Sequence, residues 1–284
     1  MIPFLASFPR RVIVFNPLGR YARAQVAAMR QAGTPIIAGV QLGRGGEEMD
    51  GIPVLDAPPS DADAAVLYTP PEGTADAIAR CAALGIRSII ACAEYVPVHD
   101  ALRAARAARE AGAWLVGPNT LGLCVPGQGM LGNIPPAFCT PGDVTVLTRS
   151  GTLALTIARM LSAAGIGQRA VINLGGDALI GRNPHEYLAP LADDAATRAV
   201  LYVGELGGDK EYALAEALPA LRGKRLVAMV MGRHAPEGRR MGHAGALAGA
   251  ARETAEAKLA ALQAAGARIA RTPDEAIHEL GGQA

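Results

Sequence analysis

The chain has 284 residues, 50% of them apolar and 19% charged, with a formal net charge of +1. That balance excludes bulk electrostatic attraction to nucleic acid or to an anionic membrane surface, and 4% aromatics leave few platforms for stacking bases. No apolar stretch is long enough to span a bilayer, the opening MIPFLASFPR lacks a basic n-region, and Cys81, Cys92, Cys124 and Cys139 show no C-x-x-C spacing. The reading is a cytoplasmic protein with neither signal peptide, disulfide framework nor metal site.

Strand and helix signals alternate along the chain, which predicts parallel sheets with helices on their faces. Strands are expected at Arg11–Phe15, Pro35–Val40, Ala64–Tyr68, Ser88–Cys92 and Trp114–Val116, with helices over Ala22–Ala32, Gly73–Leu84 and Asp100–Ala111. This is a Rossmann-like unit of roughly five strands over residues 1–125. The Gly/Pro-rich passage 126–142, PGQGMLGNIPPAFCTPG, breaks both periodicities and reads as a linker. A second α/β series fills 143–284. Its strands are expected at Val144–Thr148, Ala170–Asn173, Ala199–Val203, Arg225–Met231 and Arg268–Ala270. Helices follow near Thr152–Ala164, Pro184–Leu191, Tyr212–Leu221, Glu253–Ala265 and Pro273–Leu280. The last begins well, with Thr272 at the cap and Pro273 in the first turn.

The turn after the first strand, Asn16-Pro17-Leu18-Gly19-Arg20-Tyr21-Ala22, sits where a nucleotide phosphate is usually met, yet it has a single glycine. A dinucleotide site also needs an acidic residue ending the second strand; here that strand runs into Gly43-Arg44-Gly45-Gly46. Both halves of the NAD fingerprint fail. Arg44 is read either as a phosphate ligand or as a solvated loop charge.

In the second series, Ser150 or Thr152 can cap the helix after Thr148, and the helix start around Ser150, Gly151 and Thr152 can hold an anion. Gly175 and Gly176 allow close backbone approach, and Asp177 beside them is a ligand or a turn residue. Glu205, in Gly204-Glu205-Leu206-Gly207-Gly208, is a site carboxylate or a solvated loop charge. The most informative stretch is Arg239-Arg240-Met241-Gly242-His243-Ala244-Gly245-Ala246. Its small residues leave the His243 imidazole uncovered beside two arginines, a setting suited to nucleophilic or acid–base work on an anion. His99, His185, His234 and His278 have no such setting.

Gly-His-Ala-Gly-Ala after Gly-Arg-Arg-Met resembles the phosphohistidine signature of the succinyl-CoA synthetase α subunit. That superfamily of NDP-forming acyl-CoA ligases includes malate–CoA ligase and citryl-CoA-forming relatives. Gly43–Gly46, Gly117–Asn119, Ser150–Leu153, Gly175–Asp177 and Gly204–Gly208 are similar to further family motifs in family order, so the resemblance spans nearly the whole chain. It implies an N-terminal Rossmann-like CoA-binding domain followed by a flavodoxin-like α/β domain carrying the phosphohistidine. It also implies a reaction of acid, CoA and nucleoside triphosphate to acyl-CoA, diphosphate and phosphate. The phosphoryl group passes through His243, and CoA thiolate attacks the acyl phosphate; net direction stays open. Glu205 would orient His243, the start of the Ser150-Gly151-Thr152 helix would face the phosphohistidine, and Gly242, Ala244, Gly245, Gly175, Gly176 and Asp177 would surround it.

The resemblance puts CoA on Leu18, Gly19, Arg20, Tyr21, Arg44, Cys92, Ala93, Glu94 and Asn119. Leu155 falls in the acid-substrate neighbourhood. The chain has no G-x-x-x-x-G-K-[ST], so ATP or GTP with Mg is expected on an ATP-grasp β subunit, in an αβ or α2β2 assembly. Three departures stand out. The first loop keeps only Gly19 of the family's glycines, Gly117-Pro118-Asn119 runs on as Thr120-Leu121-Gly122, and Leu155 replaces a tyrosine. This pattern implies a paralogue acting on a carboxylic acid other than succinate. The alternative is a non-catalytic CoA-binding or regulatory relative.

Overall fold

The computed structural model describes residues 1–233 and 250–281. The chain forms two compact units: Pro3–Pro136 with Leu179–Arg182, and Met1–Ile2 with Ala137–Ala178 and Asn183–Ala284.

The first unit opens with a short helix α1 (Pro3–Ala6), then β1 (Val12–Phe15), α2 (Arg20–Gln31) and β2 (Ile36–Val40). A short antiparallel pair follows, β3 (Glu48–Met49) and β4 (Ile52–Leu55), then β5 (Ala64–Leu67), α3 (Pro71–Ala83), β6 (Ser88–Ala91), α4 (Val98–Glu110) and β7 (Trp114–Val116). The sheet order is β3-β4-β2-β1-β5-β6-β7. Its six parallel strands follow the 3-2-1-4-5-6 order of dinucleotide-binding folds. All four residues of β1, β5 and β6 are buried, as expected for strands covered on both faces. Helix α2 buries Ala22, Val26 and Met29, spaced to form one stripe. Basic residues Arg30, Arg80 and Arg109 close α2, α3 and α4, where they complement the helix dipoles.

Two features depart from the sequence expectation. The pair β3–β4 adds strands where the sequence shows only a Gly-rich loop. Within the passage 126–142, Gly129–Gly132 forms a buried strand β9, antiparallel to β8 (Gly122–Val125). Thr34 pins β9, its Oγ1 donating to the Met130 carbonyl at 2.7 Å and accepting the Met130 amide at 3.2 Å. Gly122 has φ +84°, and a Cβ there would meet the Leu131 carbonyl oxygen at 2.0 Å, so only glycine fits the hairpin at that point.

The second unit runs β10 (Pro141–Thr148), α5 (Gly151–Ala163), β11 (Gln168–Asn173), α6 (Leu188–Asp193), β12 (Ala199–Glu205), α7 (Lys210–Glu216), β13 (Arg225–Met231), α8 (Ala255–Ala264), β14 (Arg268–Ile269) and α9 (Pro273–Gly281). Its strands are parallel in the order β14-β13-β12-β10-β11. Counted along the chain this is 2-1-3-4-5, the flavodoxin-like order. Both α/β expectations hold. The helix read at Tyr212–Leu221 is instead α7 followed by a 3-10 turn at Leu218–Leu221, where Pro219 cannot donate to a continuing α-helix. Among the described residues no helix is long and apolar enough to cross a membrane.

Candidate functional sites

In each unit the first strand has neighbours on both sides that are reached by opposite crossings. The carboxyl ends of β1 and β10 are therefore the switch points at which open α/β sheets form crevices.

At β1, Asn16 leaves the strand at φ +52°, its amide held by the Val40 carbonyl at 2.9 Å. Pro17 packs over Gly39 of β2, where a Cβ would come 2.5 Å from Pro17 Cγ. Gly19 then occupies the cap of α2 in an extended conformation, with no side-chain cap and no acidic residue in the first turn. A helix start of this kind suits a phosphate. Arg20 and Tyr21 are exposed on that turn, while Leu18 is half-buried.

The expected contacts Tyr21, Cys92 and Glu94 lie together. The Tyr21 hydroxyl is pushed up from its ordinary value by burial, then by Cys92 and Glu94. Its ring stands edge-on to Tyr68 at 6.0 Å, and Tyr68 Oη donates to Asn133 Oδ1 at 2.7 Å. Burial lifts the Cys92 thiol to about 12, so this sulfur is no nucleophile near neutral pH. The Asn119 amide donates to the Ala93 carbonyl at 2.8 Å and joins two of the expected segments. Tyr68 and Asn133 were not singled out in the sequence. A tyrosine directly after the buried apolar strand β5 is the signal by which the first of them could be found.

Arg44 is arranged differently from the expectation of a waiting phosphate ligand. Its Nη2 donates to Glu47 Oε2 at 2.7 Å and its Nε to Glu47 Oε1. Glu47 raises the Arg44 pKa further through that hydrogen bond and its charge. The glycines either side do present their amides, but to a carboxylate of this chain. Gly43 and Gly45 donate to Asp56 Oδ1 at 2.7 and 3.0 Å.

In the second unit, three motif loops meet at the carboxyl ends of adjacent strands β11, β10 and β12. Ser150 is the cap of α5, its Oγ accepting from the Leu153 amide at 3.4 Å. Thr148 fixes that cap, its Oγ1 donating to the Ser150 carbonyl and accepting the Ser150 amide. Gly151 and Thr152 form the first turn, with no acidic residue to oppose an anion, and Leu155 is half-buried one turn on. The Thr148 carbonyl takes both the Leu174 amide at 2.8 Å and Asn173 Nδ2 at 3.1 Å, which ties the Gly175-Gly176-Asp177 loop to β10.

Arg149 joins all three loops. Its backbone amide donates to the Val203 carbonyl at 3.0 Å, its Nη2 to the Asp177 carbonyl at 2.7 Å, and its Nη1 lies 3.0 Å from Glu205 Oε1. Glu205 is therefore a buried, charge-paired carboxylate, 7% exposed, and the solvated-loop reading of it is overturned. Asp177 contributes its carbonyl to Arg149. Beneath Glu205, the fully buried Lys258 donates Nζ to the Glu205 carbonyl at 2.9 Å, to the Gly207 carbonyl and to Glu211 Oε2. Tyr202 Oη completes the network, donating to Glu211 Oε1 at 2.7 Å. Beside it, Lys210 is brought down to about 8, first by burial and then by the Arg149 charge. Sequence reasoning missed Arg149, Lys258 and Glu211. For Arg149 a signal existed, an arginine between a strand end and a capping serine. His243, Gly242, Ala244 and Gly245 lie outside the described residues, and among the described residues no cluster could hold a metal ion.

Residues 15–95 match the CoA binding domain family and residues 147–268 the CoA-ligase family. Together with the two crevices, these matches define a CoA-binding ligase subunit. The chain is 42% identical over 270 residues to succinate–CoA ligase [ADP-forming] subunit alpha 2 of Archaeoglobus fulgidus, covering 93% of this chain and 94% of the relative. It is 38% identical to the ADP-forming sulfoacetate–CoA ligase subunit SauD of Bilophila wadsworthia, again over 93% and 94%. Its fold is similar to that of Methanosaeta concilii ATP citrate lyase in complex with (3S)-citryl-CoA. There the TM-score is 0.85 and the identity 24%, over 95% of this chain and 48% of that longer one. The chain belongs to the family of succinate–CoA ligase α subunits, the NDP-forming acyl-CoA ligases. It is accordingly one subunit of a heteromeric acid–thiol ligase, with CoA as a substrate.

Proposed function

We propose that this α subunit works through a phosphohistidine at His243. A nucleoside triphosphate bound with Mg on an ATP-grasp β subunit gives its γ-phosphoryl group to the imidazole. The phosphoryl group then passes to a substrate carboxylate, and the CoA thiolate attacks the acyl phosphate, forming the thioester and releasing phosphate. The observation that supports this reading is the buried Arg149–Glu205 pair beside the capped start of α5. A fixed carboxylate can orient an imidazole by accepting from one ring nitrogen, leaving the other to take the phosphoryl group. The helix start offsets the phosphate charge.

The N-terminal unit would hold CoA, with its phosphates at the uncapped start of α2 and its contacts at Tyr21, Cys92, Ala93, Glu94 and Asn119. The acid is a carboxylate less polar or bulkier than succinate, a reading supported by Leu155 on α5 where the family has a tyrosine. That a relative is named for sulfoacetate is consistent with acid choice varying within this family. We assign the enzyme to the cytoplasm in an αβ or α2β2 assembly; four cysteines with no C-x-x-C spacing suit a reducing compartment.

The test is to purify the chain with its ATP-grasp partner and add γ-labelled ATP. Acid-labile, base-stable label on the α chain, abolished by His243→Asn in a protein that still folds, is the expected result. Absence of label with partner and ATP, and also with acyl-CoA plus phosphate, would reject the phosphohistidine. A panel of acids with the reconstituted pair checks the substrate, and a clear preference for succinate would sink the second part.

A further inference from the structure

The amino ends of the C-terminal sheet carry a cavity that the phosphohistidine reading does not use. Its volume is about 630 Å³, and Arg198, Lys224, Arg225 and Arg268 line it with Leu218 and Pro219. Arg198 immediately precedes β12, Lys224 precedes β13, and Arg225 and Arg268 are the first residues of β13 and β14. Glu205 stands at the other end of the seven-residue β12, roughly 20 Å away at about 3.3 Å per residue.

Among the described residues, two carboxylates are paired with these four cations. Asp143 Oδ2 lies 2.8 Å from Arg198 Nε, and Glu279 Oε2 lies 3.0 Å from Arg268 Nη1. Lys224 Nζ donates to the Leu191 and Asp194 carbonyls at 2.9 and 2.7 Å, at the end of α6, and Arg225 Nη1 to the Glu279 carbonyl at 2.7 Å. Each of the three guanidiniums commits one nitrogen to these bonds, and each has three nitrogens to offer. Arg225 feels the surplus: its charged form is disfavoured by burial, then by Arg268 and Arg198, with Glu279 opposing them. Guanidiniums facing one void repel, and an anion between them turns repulsion into attraction. The void is also of the size that small ligands fill.

We propose that this cavity is a binding site for a small organic phosphate monoester. A phosphate monoester carries about −1.5 to −2 charge at neutral pH, which matches the surplus of cations over carboxylates. The guanidiniums grip its oxygens through paired N–H donors, and Leu218 and Pro219 receive the apolar body.

The experiment is calorimetric titration of the full chain with phenyl phosphate, and in parallel with inorganic phosphate. The expected result is one saturable site that binds phenyl phosphate more tightly than inorganic phosphate. Arg225→Gln is expected to weaken it about tenfold, the worth of a charge-assisted hydrogen bond. Because Arg225 also bonds the α9 backbone, Arg198→Gln serves as the second variant; its side chain and that of Asp143 are about half exposed, and the same loss is expected. Absence of saturable binding at millimolar ligand would overturn the proposal. So would an isotherm that Arg198→Gln leaves unchanged while Arg20→Ala weakens it, since the ligand would then be seated at α2.

Discussion

The Arg149 guanidinium lies 3.0 Å from the Glu205 carboxylate, with only 2% and 9% of the two side chains exposed. A buried charge that loses its partner costs more than the pair contributed, about 3–5 kcal/mol. Arg149→Met should therefore lower stability by about that amount in calorimetric unfolding. The double variant with Glu205→Leu should lose less than Arg149→Met alone, because no uncompensated charge remains. A double variant no more stable than the single one would mean that Arg149 acts mainly through its bonds to the Asp177 loop.

Lys258 and Glu211 are both fully buried, 2.5 Å apart. Lys258→Met strands a carboxylate and frees the Glu205 and Gly207 carbonyls, for a loss again of about 3–5 kcal/mol. Adding Glu211→Gln keeps an acceptor for Tyr202 without the charge and should recover more than half of that loss in denaturant unfolding. Hydrogen exchange should show the amides of 205–208 opening faster in Lys258→Met than those of β10. Uniform loosening of the whole sheet would instead make Lys258 a general packing residue.

Lys210 titrates in the folded chain near 8, below its ordinary 10.5, because burial and Arg149 disfavour its charge. The folded state thus releases this proton before the unfolded state does, so the Lys210 contribution rises as pH climbs from about 8 towards 10.5 and is least favourable below 8. Relative to Lys210→Met, the wild-type chain should gain thermal stability between pH 7 and pH 9.5. Acetic anhydride at pH 8, read by mass spectrometry, should modify Lys210 before Lys224 and Lys258. Equal rates at Lys210 and Lys224 would place the Lys210 pKa near its ordinary value.

Arg20 is exposed at the first turn of α2, whereas the Arg44 guanidinium is already held by Glu47. Arg20→Ala should weaken CoA about tenfold, the loss of one charge-assisted contact, with the unfolding temperature unchanged. Arg44→Ala should cost less, since Glu47 competes for that charge. Titration of the full chain with CoA decides between them; a larger loss at Arg44 would move the phosphates to the Gly43–Gly46 turn.

Much of the fold was legible because its strands are short apolar runs between turn signals, and because a βαβ alternation leaves few topologies open. The strands expected at Arg11–Phe15 and Ala199–Val203 could be read for that reason, the second running two residues further to Glu205. The strands Glu48–Met49 and Gly129–Gly132 could not, since two residues show no alternation and glycines show no preference for a strand. In the candidate site, the loop of Glu205 was legible because glycines and a carboxylate stand together there. The site was not legible where its chemistry depends on distant partners. Lys258 reaches a carbonyl 53 residues away, and nothing in the local pattern of α8 distinguishes it from a surface lysine.

Pro17 and Gly39 behave as one position of the sequence divided between a loop and a strand. With proline at 17, a side chain at 39 has no room. A lineage that kept the proline is held to glycine in the middle of β2, where β-branched residues would ordinarily be favoured. A residue at 17 that leaves this space open would release position 39 to carry a side chain. Changes in the first loop therefore propagate into the sheet as a correlated pair, and the two positions should vary together among relatives of this chain.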